Sequence, residues 1–259
     1  MSFIKNKLTS FGNIFVFVCI FVFLFIVWQN FAKADIVKKT SIEKTNSISE
    51  FVDKKIEIIF NEALVLSQND YKQNFDLKSD YSLQKYISDD LVLENIRYVP
   101  ADLSQIDSEH IVNRAGRPYL RLSAQIAFET MAEDFYLATN KQFYLMSAYR
   151  SYNDQATLFE GGCSLSRCAK LGASEHQLGL AVDIHLATKN GYNLLGGEYL
   201  KWLNENAHKY GFINTYRKGV KIDGKMKEVW HWRYVGKYLA TELFEKDLSF
   251  AEYYLSLSN

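Results

Sequence analysis

Two histidines and an aspartate occur in sequence contexts that could form a metal site. His176 and Asp183 flank a glycine turn in the run Ser-Glu-His-Gln-Leu-Gly-Leu-Ala-Val-Asp, which leads into an apolar segment. His231 lies in a second run, Glu-Val-Trp-His-Trp-Arg-Tyr, which begins at Glu228. Zinc in hydrolases typically takes three protein ligands from His, Asp or Glu and leaves a fourth position for water. These residues therefore predict a catalytic zinc site, with hydrogen-bonded core polar groups as the alternative.

Glu228 and Arg150 carry side chains that a peptidase could use beside such a metal. Strand alternation brings Glu228 close to His231, where it could take a proton from zinc-bound water and pass it to the leaving amine. The alternative role for Glu228 is a salt bridge with Arg233. Arg150 could pair bidentately with a terminal carboxylate, which would restrict cleavage to a chain end, or could form an ordinary structural ion pair.

The elements around these residues predict how they are positioned. The apolar segment 143–148 predicts a buried strand, and Ser151 with Asp154 predicts the start of a helix, so Arg150 would lie at a strand-to-helix corner. Further strands and amphipathic helices are predicted at 180–184, 229–234, 124–135 and 199–210. Strands interspersed unevenly with helices indicate an α+β domain. No glycine-rich phosphate loop follows a predicted strand, which disfavours nucleotide-dependent chemistry.

Three ordered motifs run through the second half of the chain. They are Ser-Ala-Tyr-Arg-Ser from Ser147 followed by Gln155, Ser-x-His-x-x-Gly-x-Ala-x-Asp from Ser174, and Glu-x-Trp-His from Glu228. In this order they closely resemble the motifs of VanY-like D-alanyl-D-alanine carboxypeptidases, which are zinc peptidases of peptidoglycan. The resemblance covers roughly residues 91–244.

This resemblance implies a fold, a cofactor and a set of site residues. The implied fold is α+β of the Hedgehog/DD-peptidase type, a small, mainly antiparallel sheet with flanking helices. The implied cofactor is Zn²⁺, with His176, Asp183 and His231 as ligands and Glu228 as general base. Polar side chains would line the substrate pocket: Arg150, Ser151, Gln155 and Ser174.

The same resemblance implies the substrate class. The expected reaction removes the C-terminal D-alanine from peptidoglycan stem peptides, with D,D, L,D and endopeptidase specificity left open by the motifs. A hypothesis from a different class is a membrane-tethered peptidoglycan-binding module that has lost catalysis. The presence of Glu228 and Arg150 argues against that second hypothesis.

The first 34 residues predict export to the cell envelope. Lys5 and Lys7 precede an unbroken apolar run over 14–28, and Ala-Lys-Ala at 32–34 has the small-x-small pattern of a cleavage site. The run suits either a cleaved signal peptide or a retained anchor in the cytoplasmic membrane. After it the sequence predicts three regions: a stalk or accessory helical region at 35–90, the zinc peptidase domain at 91–245 and a C-terminal tail at 246–259.

Charge and cysteine content narrow the function classes further. The 259 residues include 30 basic and 30 acidic side chains, so the chain lacks the basic excess of a nucleic-acid-binding protein. Cys19 lies in the apolar run, which leaves Cys163 and Cys168 in the exported part. In an oxidising compartment this pair predicts a local disulfide, with two free thiols as the alternative. Two cysteines alone are too few ligands for a zinc site.

Overall fold

The structure, a computed structural model, describes residues 75–257. The predicted signal peptide or anchor and most of the predicted stalk lie outside the described residues. Between residues 75 and 257, no helix is both long enough and apolar enough to cross a membrane.

Eight strands and six α-helices make up the described part of the chain. The strands are β1 (Leu103–Gln105), β2 (Ile111–Asn113), β3 (Tyr119–Arg121), β4 (Phe143–Ser147), β5 (Ala181–Thr188), β6 (Gly191–Asn193), β7 (Phe212–Ile213) and β8 (His231–Tyr234). The helices are α1 (Leu122–Thr139), α2 (Tyr152–Glu160), α3 (Gly197–Asn206), α4 (Val220–Asp223), α5 (Lys237–Glu245) and α6 (Phe250–Ser256), and a 3₁₀ helix at Ala207–Tyr210 follows α3.

Six of the strands form one sheet in the order β2-β4-β5-β8-β7, with β6 also paired to β5. The β2–β4 pair is parallel and the other pairs are antiparallel. A parallel pair needs a long crossover connection, which β3 and α1 provide between β2 and β4. The structure therefore confirms the prediction of a sheet with flanking helices, and the sheet is mixed through this one pair. Strands β1 and β3 form a separate two-stranded antiparallel sheet.

Helix α1 packs on the strand that leads to Arg150. The apolar residues that recur at helical spacing in its sequence are all buried, as predicted: Ala124, Phe128, Met131, Ala132 and Phe135. The Phe135 ring stacks on the ring of Phe143 in β4, with 4.3 Å between centroids. Because a continuous apolar face joins helix and strand, β4 is held rigidly behind the site.

Helix α2 begins at the predicted position. The Ser151 hydroxyl accepts a hydrogen bond from the Asp154 amide, and the Asp154 carboxylate accepts one from the Ser151 amide, which makes a capping box. Arg150 therefore lies at the corner between the end of β4 and the start of α2, as the sequence predicts.

The compact unit extends beyond the predicted limits of 91–245. Leu77 is buried in a cluster with Leu239 and Phe250, and Ile87 belongs to the main core. The segment predicted as a tail contains α6, which buries Phe250 and Tyr253. The polar composition of 75–90 conceals these contacts, because a few widely spaced apolar residues give no periodic signal.

Candidate metal centre and substrate cleft

Asp183 and His231 are neighbours because of the strand register. They lie directly opposite each other on β5 and β8. Residues opposed in this way on an antiparallel pair place their side chains on the same face of the sheet. The Nδ1 atom of His231 lies 3.0 Å from Oδ1 of Asp183.

His176 approaches the same carboxylate from the turn that precedes β5. Its Nε2 atom lies 3.2 Å from Oδ2 of Asp183, and its Nδ1 atom lies 2.7 Å from the carbonyl oxygen of Ala148. A carbonyl oxygen can only accept a hydrogen bond, so Nδ1 carries the hydrogen and Nε2 keeps its lone pair towards Asp183. This is the form of histidine that can ligate a metal ion.

The turn depends on Gly179. Its amide donates to the His176 carbonyl oxygen at 3.1 Å, and its φ angle is +66°. A Cβ atom at this position would lie 2.8 Å from Cδ2 of Leu103. The glycine of the second motif is therefore required both by the backbone conformation and by the close approach of Leu103.

His176, Asp183 and His231 have the geometry of a three-residue donor set. One ligand atom from each lies within 4.8 Å of the others, and both histidines are buried. On its other side, Nε2 of His231 lies 2.8 Å from Oε2 of Glu175. Metal-binding histidines commonly donate their second ring N–H to a carboxylate in this way, which fixes the tautomer and the ring orientation.

The electrostatics of the donor set also fit a divalent cation. Burial disfavours protonation of His231, but hydrogen bonds with Asp183 and Glu175 dominate and raise its pKa to about 10. Burial would raise the pKa of Asp183, but His176 and His231 hold it well below its ordinary value. The buried carboxylates thus remain ionised and require positive charge beside them. That charge can be a proton on His231, whose pKa is raised, or a zinc ion at the three donors, which would displace that proton.

Glu175 is a functional candidate that the sequence prediction missed. It is buried, accepts a hydrogen bond from the Thr215 hydroxyl at 2.9 Å, and pairs with the buried guanidinium of Arg233 at 3.4 Å. Arg233 therefore pairs with Glu175, and not with Glu228 as the alternative prediction had it. The available signal was the position of Glu175 immediately before His176 in the motif.

Arg150 is held at the cleft by neighbouring polar groups. Its guanidinium donates to Oε1 of Gln155 at 2.9 Å and to Oγ of Ser147 at 3.1 Å, and it lies 3.9 Å from Asp183. Its side chain is 21% exposed, so one face is available to a ligand. Gln155 is fully buried and also donates to the Ala169 carbonyl oxygen. The Ser151 hydroxyl is engaged in the cap of α2.

A cavity of about 220 Å³ joins these residues. Six of the predicted site residues line it: Arg150, Ser174, His176, Asp183, Glu228 and His231. Ser151 and Gln155 are not among its lining residues. A larger cavity of about 450 Å³ lies among α3, α5 and α6 and contains none of the predicted site residues. We take the smaller cavity as the functional cleft, because it contains the chemically competent groups.

Glu228 faces this cleft and is 7% exposed. Burial, reinforced by the negative charge of Asp183 and opposed by His231 and Arg167, raises its pKa to about 7. The Glu228 carbonyl oxygen accepts a hydrogen bond from the Asn214 side chain at 2.7 Å, which anchors the backbone in front of β8. A carboxyl group with this pKa can both accept and release a proton near neutral pH.

A disulfide, two tryptophans and a further histidine lie in or near the cleft. Cys163 and Cys168 form a disulfide, which confirms that prediction. Trp230 lines the cleft and Trp232 is buried in the core. His185, two residues after Asp183, stacks on the Tyr192 ring and is not part of the donor set.

The chain is similar to known carboxypeptidases. A family model described as VanY, D-alanyl-D-alanine carboxypeptidase, matches residues 117–237. The putative carboxypeptidase YodJ of Bacillus subtilis (strain 168) is 38% identical over 173 residues, which are 61% of this chain and 62% of that protein. The chain thus spans less than two thirds of the length of that curated relative.

Two solved structures show the same fold. The LdcB LD-carboxypeptidase is 32% identical, with a TM-score of 0.60, and the match covers 68% of this chain and 86% of that one. A mutant of the vancomycin-resistance D,D-pentapeptidase VanY from the VanB-type cassette, solved in complex with Zn(II), is 26% identical with a TM-score of 0.52. That match covers 67% of this chain and 98% of the other.

Proposed function

Because the chain belongs to the VanY family of D-alanyl-D-alanine carboxypeptidases, we propose that it is a zinc-dependent carboxypeptidase that removes the C-terminal D-alanine from peptidoglycan stem peptides. The observation that carries this proposal is the convergence of the donor set, His176, Asp183 and His231, with Glu228 and Arg150 in one cleft. A metal site, a group able to transfer protons and a carboxylate receptor are the parts that a metal-dependent carboxypeptidase requires.

The donor set would hold zinc through Nε2 of His176, the Asp183 carboxylate and Nδ1 of His231. When bound, zinc supplies Lewis acidity, which polarises a carbonyl group and acidifies water. Glu175 supports this role, because it accepts a hydrogen bond from the second nitrogen of His231 and keeps the imidazole ring in place. The carbonyl oxygen of Ala148 does the same for His176.

Glu228 is proposed as the general base. With a pKa of about 7, its carboxylate can accept a proton from the attacking water at neutral pH and then give it to the leaving amine. Burial supports this cycle, since the protonated and ionised forms are then close in free energy. Glu228 lines the same cleft as the donor set.

Arg150 is proposed as the receptor of the terminal carboxylate. Gln155 and Ser147 fix its guanidinium group before a substrate binds, so little side-chain entropy is lost on binding. A guanidinium group can bind a carboxylate bidentately, which would orient the last peptide bond and exclude internal bonds. Ser174 lies in the same cleft and is proposed to contact the substrate.

Peptidoglycan lies outside the cytoplasm, so this function requires the domain to be exported. The proposed location is the cell envelope, with 1–34 acting as a signal peptide or as an anchor in the cytoplasmic membrane. The bond preference is open, because one solved relative is described as an LD-carboxypeptidase and the other as a D,D-pentapeptidase.

The test is the release of alanine from defined stem peptides by the full-length chain in mild detergent. Pentapeptides ending in D-alanyl-D-alanine and tetrapeptides ending in one D-alanine are incubated with the protein, with and without a chelator, and analysed by mass spectrometry. We expect the loss of one terminal alanine, suppressed by the chelator and restored by zinc. Intact peptides together with stoichiometric bound zinc would contradict the proposed carboxypeptidase activity and support the hypothesis of a non-catalytic peptidoglycan-binding module.

A further inference from the structure

The loop closed by the disulfide, residues 163–168, forms one wall of the cleft. Cys163, Arg167 and Cys168 all line the cavity that contains the donor set. Because the six-residue loop is covalently closed, its backbone has few alternative conformations. Side chains on this loop therefore present a defined surface to a substrate.

A buried lysine holds the loop from behind. Lys225 is 5% exposed, and its ammonium group donates to the carbonyl oxygens of Leu165 at 2.8 Å and Cys168 at 3.0 Å. Its third partner is the carboxylate of Asp89, at 2.6 Å. Asp89 also accepts a hydrogen bond from the Lys170 amide. A buried ammonium group satisfied by three acceptors holds the loop in a fixed position. Loss of Asp89 would leave the buried charge uncompensated, and loss of either carbonyl contact would leave an N–H group without an acceptor.

The same loop is tied to the segment that carries Glu228. Met226, two residues before Glu228, donates its amide hydrogen to the Ser166 carbonyl oxygen at 2.8 Å. Inside the loop, the amide of Arg167 donates to the Ser164 carbonyl oxygen at 2.9 Å. The backbone of Arg167 is thus fixed relative to the proposed base.

Arg167 lines the cleft with a guanidinium group that has no hydrogen-bond partner or ion pair among the described residues. Within residues 75–257 its guanidinium group donates no hydrogen bond and forms no ion pair, and the residue is exposed. Its positive charge counteracts the rise in the pKa of Glu228. Arg150, in contrast, is anchored beside Asp183 by Ser147 and Gln155. The cleft therefore offers two guanidinium groups, whereas a single terminal carboxylate occupies one.

We propose that Arg167 is a specificity-determining residue that binds a second carboxylate of the substrate, distinct from the terminal one bound by Arg150. The substrate class is accordingly a stem peptide that carries a free acidic group upstream of its last residue. This inference rests on the proposed function. The disulfide, Lys225 and Asp89 act as positioning groups, because they hold the loop on which Arg167 lies.

The experiment compares two peptides that end in the same D-alanine and differ in one upstream group. One peptide has a free carboxylate and the other the corresponding carboxamide. With the zinc-loaded full-length chain we expect kcat/KM to be about tenfold higher for the carboxylate peptide than for the carboxamide peptide. This is the effect expected from the loss of one charge-assisted hydrogen bond. Arg167→Gln should bring this ratio close to one, and Arg167→Lys should retain part of it. Arg114→Gln is the matched control, because Arg114 is exposed and is not among the lining residues of the cleft.

A Cys163→Ser, Cys168→Ser double variant tests the positioning groups. We expect an intermediate ratio, because Lys225 still holds the loop while its covalent closure is lost. Serine substitution avoids thiol reductants, which would themselves bind zinc.

The outcomes separate this inference from the proposed function. Equal kcat/KM values for the two peptides, or a ratio that survives in Arg167→Gln, would overturn the role of Arg167 while leaving the enzyme established. If neither peptide is cleaved, the proposed function fails. Calorimetric binding of the same peptides then decides the inference: about tenfold tighter binding of the carboxylate, lost in Arg167→Gln, supports it, and equal binding rejects it.

Discussion

Oε2 of Glu175 lies 2.8 Å from Nε2 of His231, on the side of the imidazole ring opposite Asp183. The ring is therefore clamped between two carboxylates, one in the donor set and one behind it. The outer carboxylate is in turn held by Thr215 and Arg233. This arrangement fixes which nitrogen of His231 faces the donor set, because the other nitrogen must carry the hydrogen that Glu175 accepts.

Replacement of Glu175 should weaken metal binding without removing a ligand. We expect Glu175→Gln to raise the dissociation constant for zinc about tenfold or more, since the amide polarises His231 less than a carboxylate does. Competition with a chromophoric chelator measures this constant. Glu133→Gln, at an exposed position on α1, is the matched control and should leave it unchanged. An unaltered zinc affinity in a folded Glu175→Gln variant would contradict the assigned role.

Replacement of Glu228 should stop turnover while the metal remains bound. Glu228→Gln keeps the size and polarity of the side chain but cannot accept a proton from water. We expect kcat to fall by about 100-fold or more, with an unchanged zinc content by elemental analysis. A variant that retained full activity would exclude Glu228 as the base, and a variant that lost zinc would instead point to a structural role.

Gly179 should be intolerant of a side chain. Alanine at this position must adopt a φ angle of +66° and place its Cβ 2.8 Å from Leu103. We expect Gly179→Ala to lower the free energy of unfolding by about 2 kcal/mol, measured by denaturant titration. Gly116→Ala is the control, because a Cβ there meets no atom within 4 Å, and its effect should stay within about 0.5 kcal/mol. Similar losses in the two variants would refute the steric argument.

The cap of α2 should make stability depend on pH. Hydrogen bonds from Ser151, and the nearby charge of Arg117, hold the pKa of Asp154 below its ordinary value. The ionised carboxylate thus stabilises the fold at neutral pH. This stabilisation begins to fall as pH drops below the ordinary pKa of an aspartate, about 4, and is lost once pH drops below the lowered pKa of Asp154 in the folded state. We expect Asp154→Asn to be less stable than the wild type by about 1 kcal/mol at pH 7. The two unfolding free energies should approach each other only as pH falls below the lowered pKa of Asp154. A difference that stays constant during this acid titration would contradict the capping interaction.

Local features of the chain were sufficient to predict much of the site. The apolar stripe of α1, the capping residues Ser151 and Asp154, and the turn between His176 and Asp183 each depend on residues only a few positions apart. Short-range geometry of this kind is set by backbone sterics and side-chain periodicity, which the order of residues encodes directly. The disulfide belongs to the same class, because Cys163 and Cys168 close a loop whose ends are already near each other.

Contacts between distant segments were not predictable in the same way. The ion pair of Lys225 with Asp89 joins residues that are 136 positions apart in the sequence, and the pair of Glu175 with Arg233 joins residues that are 58 positions apart. Charged residues in such segments look like ordinary surface groups in the sequence, because their burial depends on which elements pack together. The chain by itself determined the types of catalytic group and their local turns. Only the tertiary structure decided which buried charges compensate one another and which arginine is left facing the cleft, because the cost of burying a charge depends on partners that only packing brings within reach.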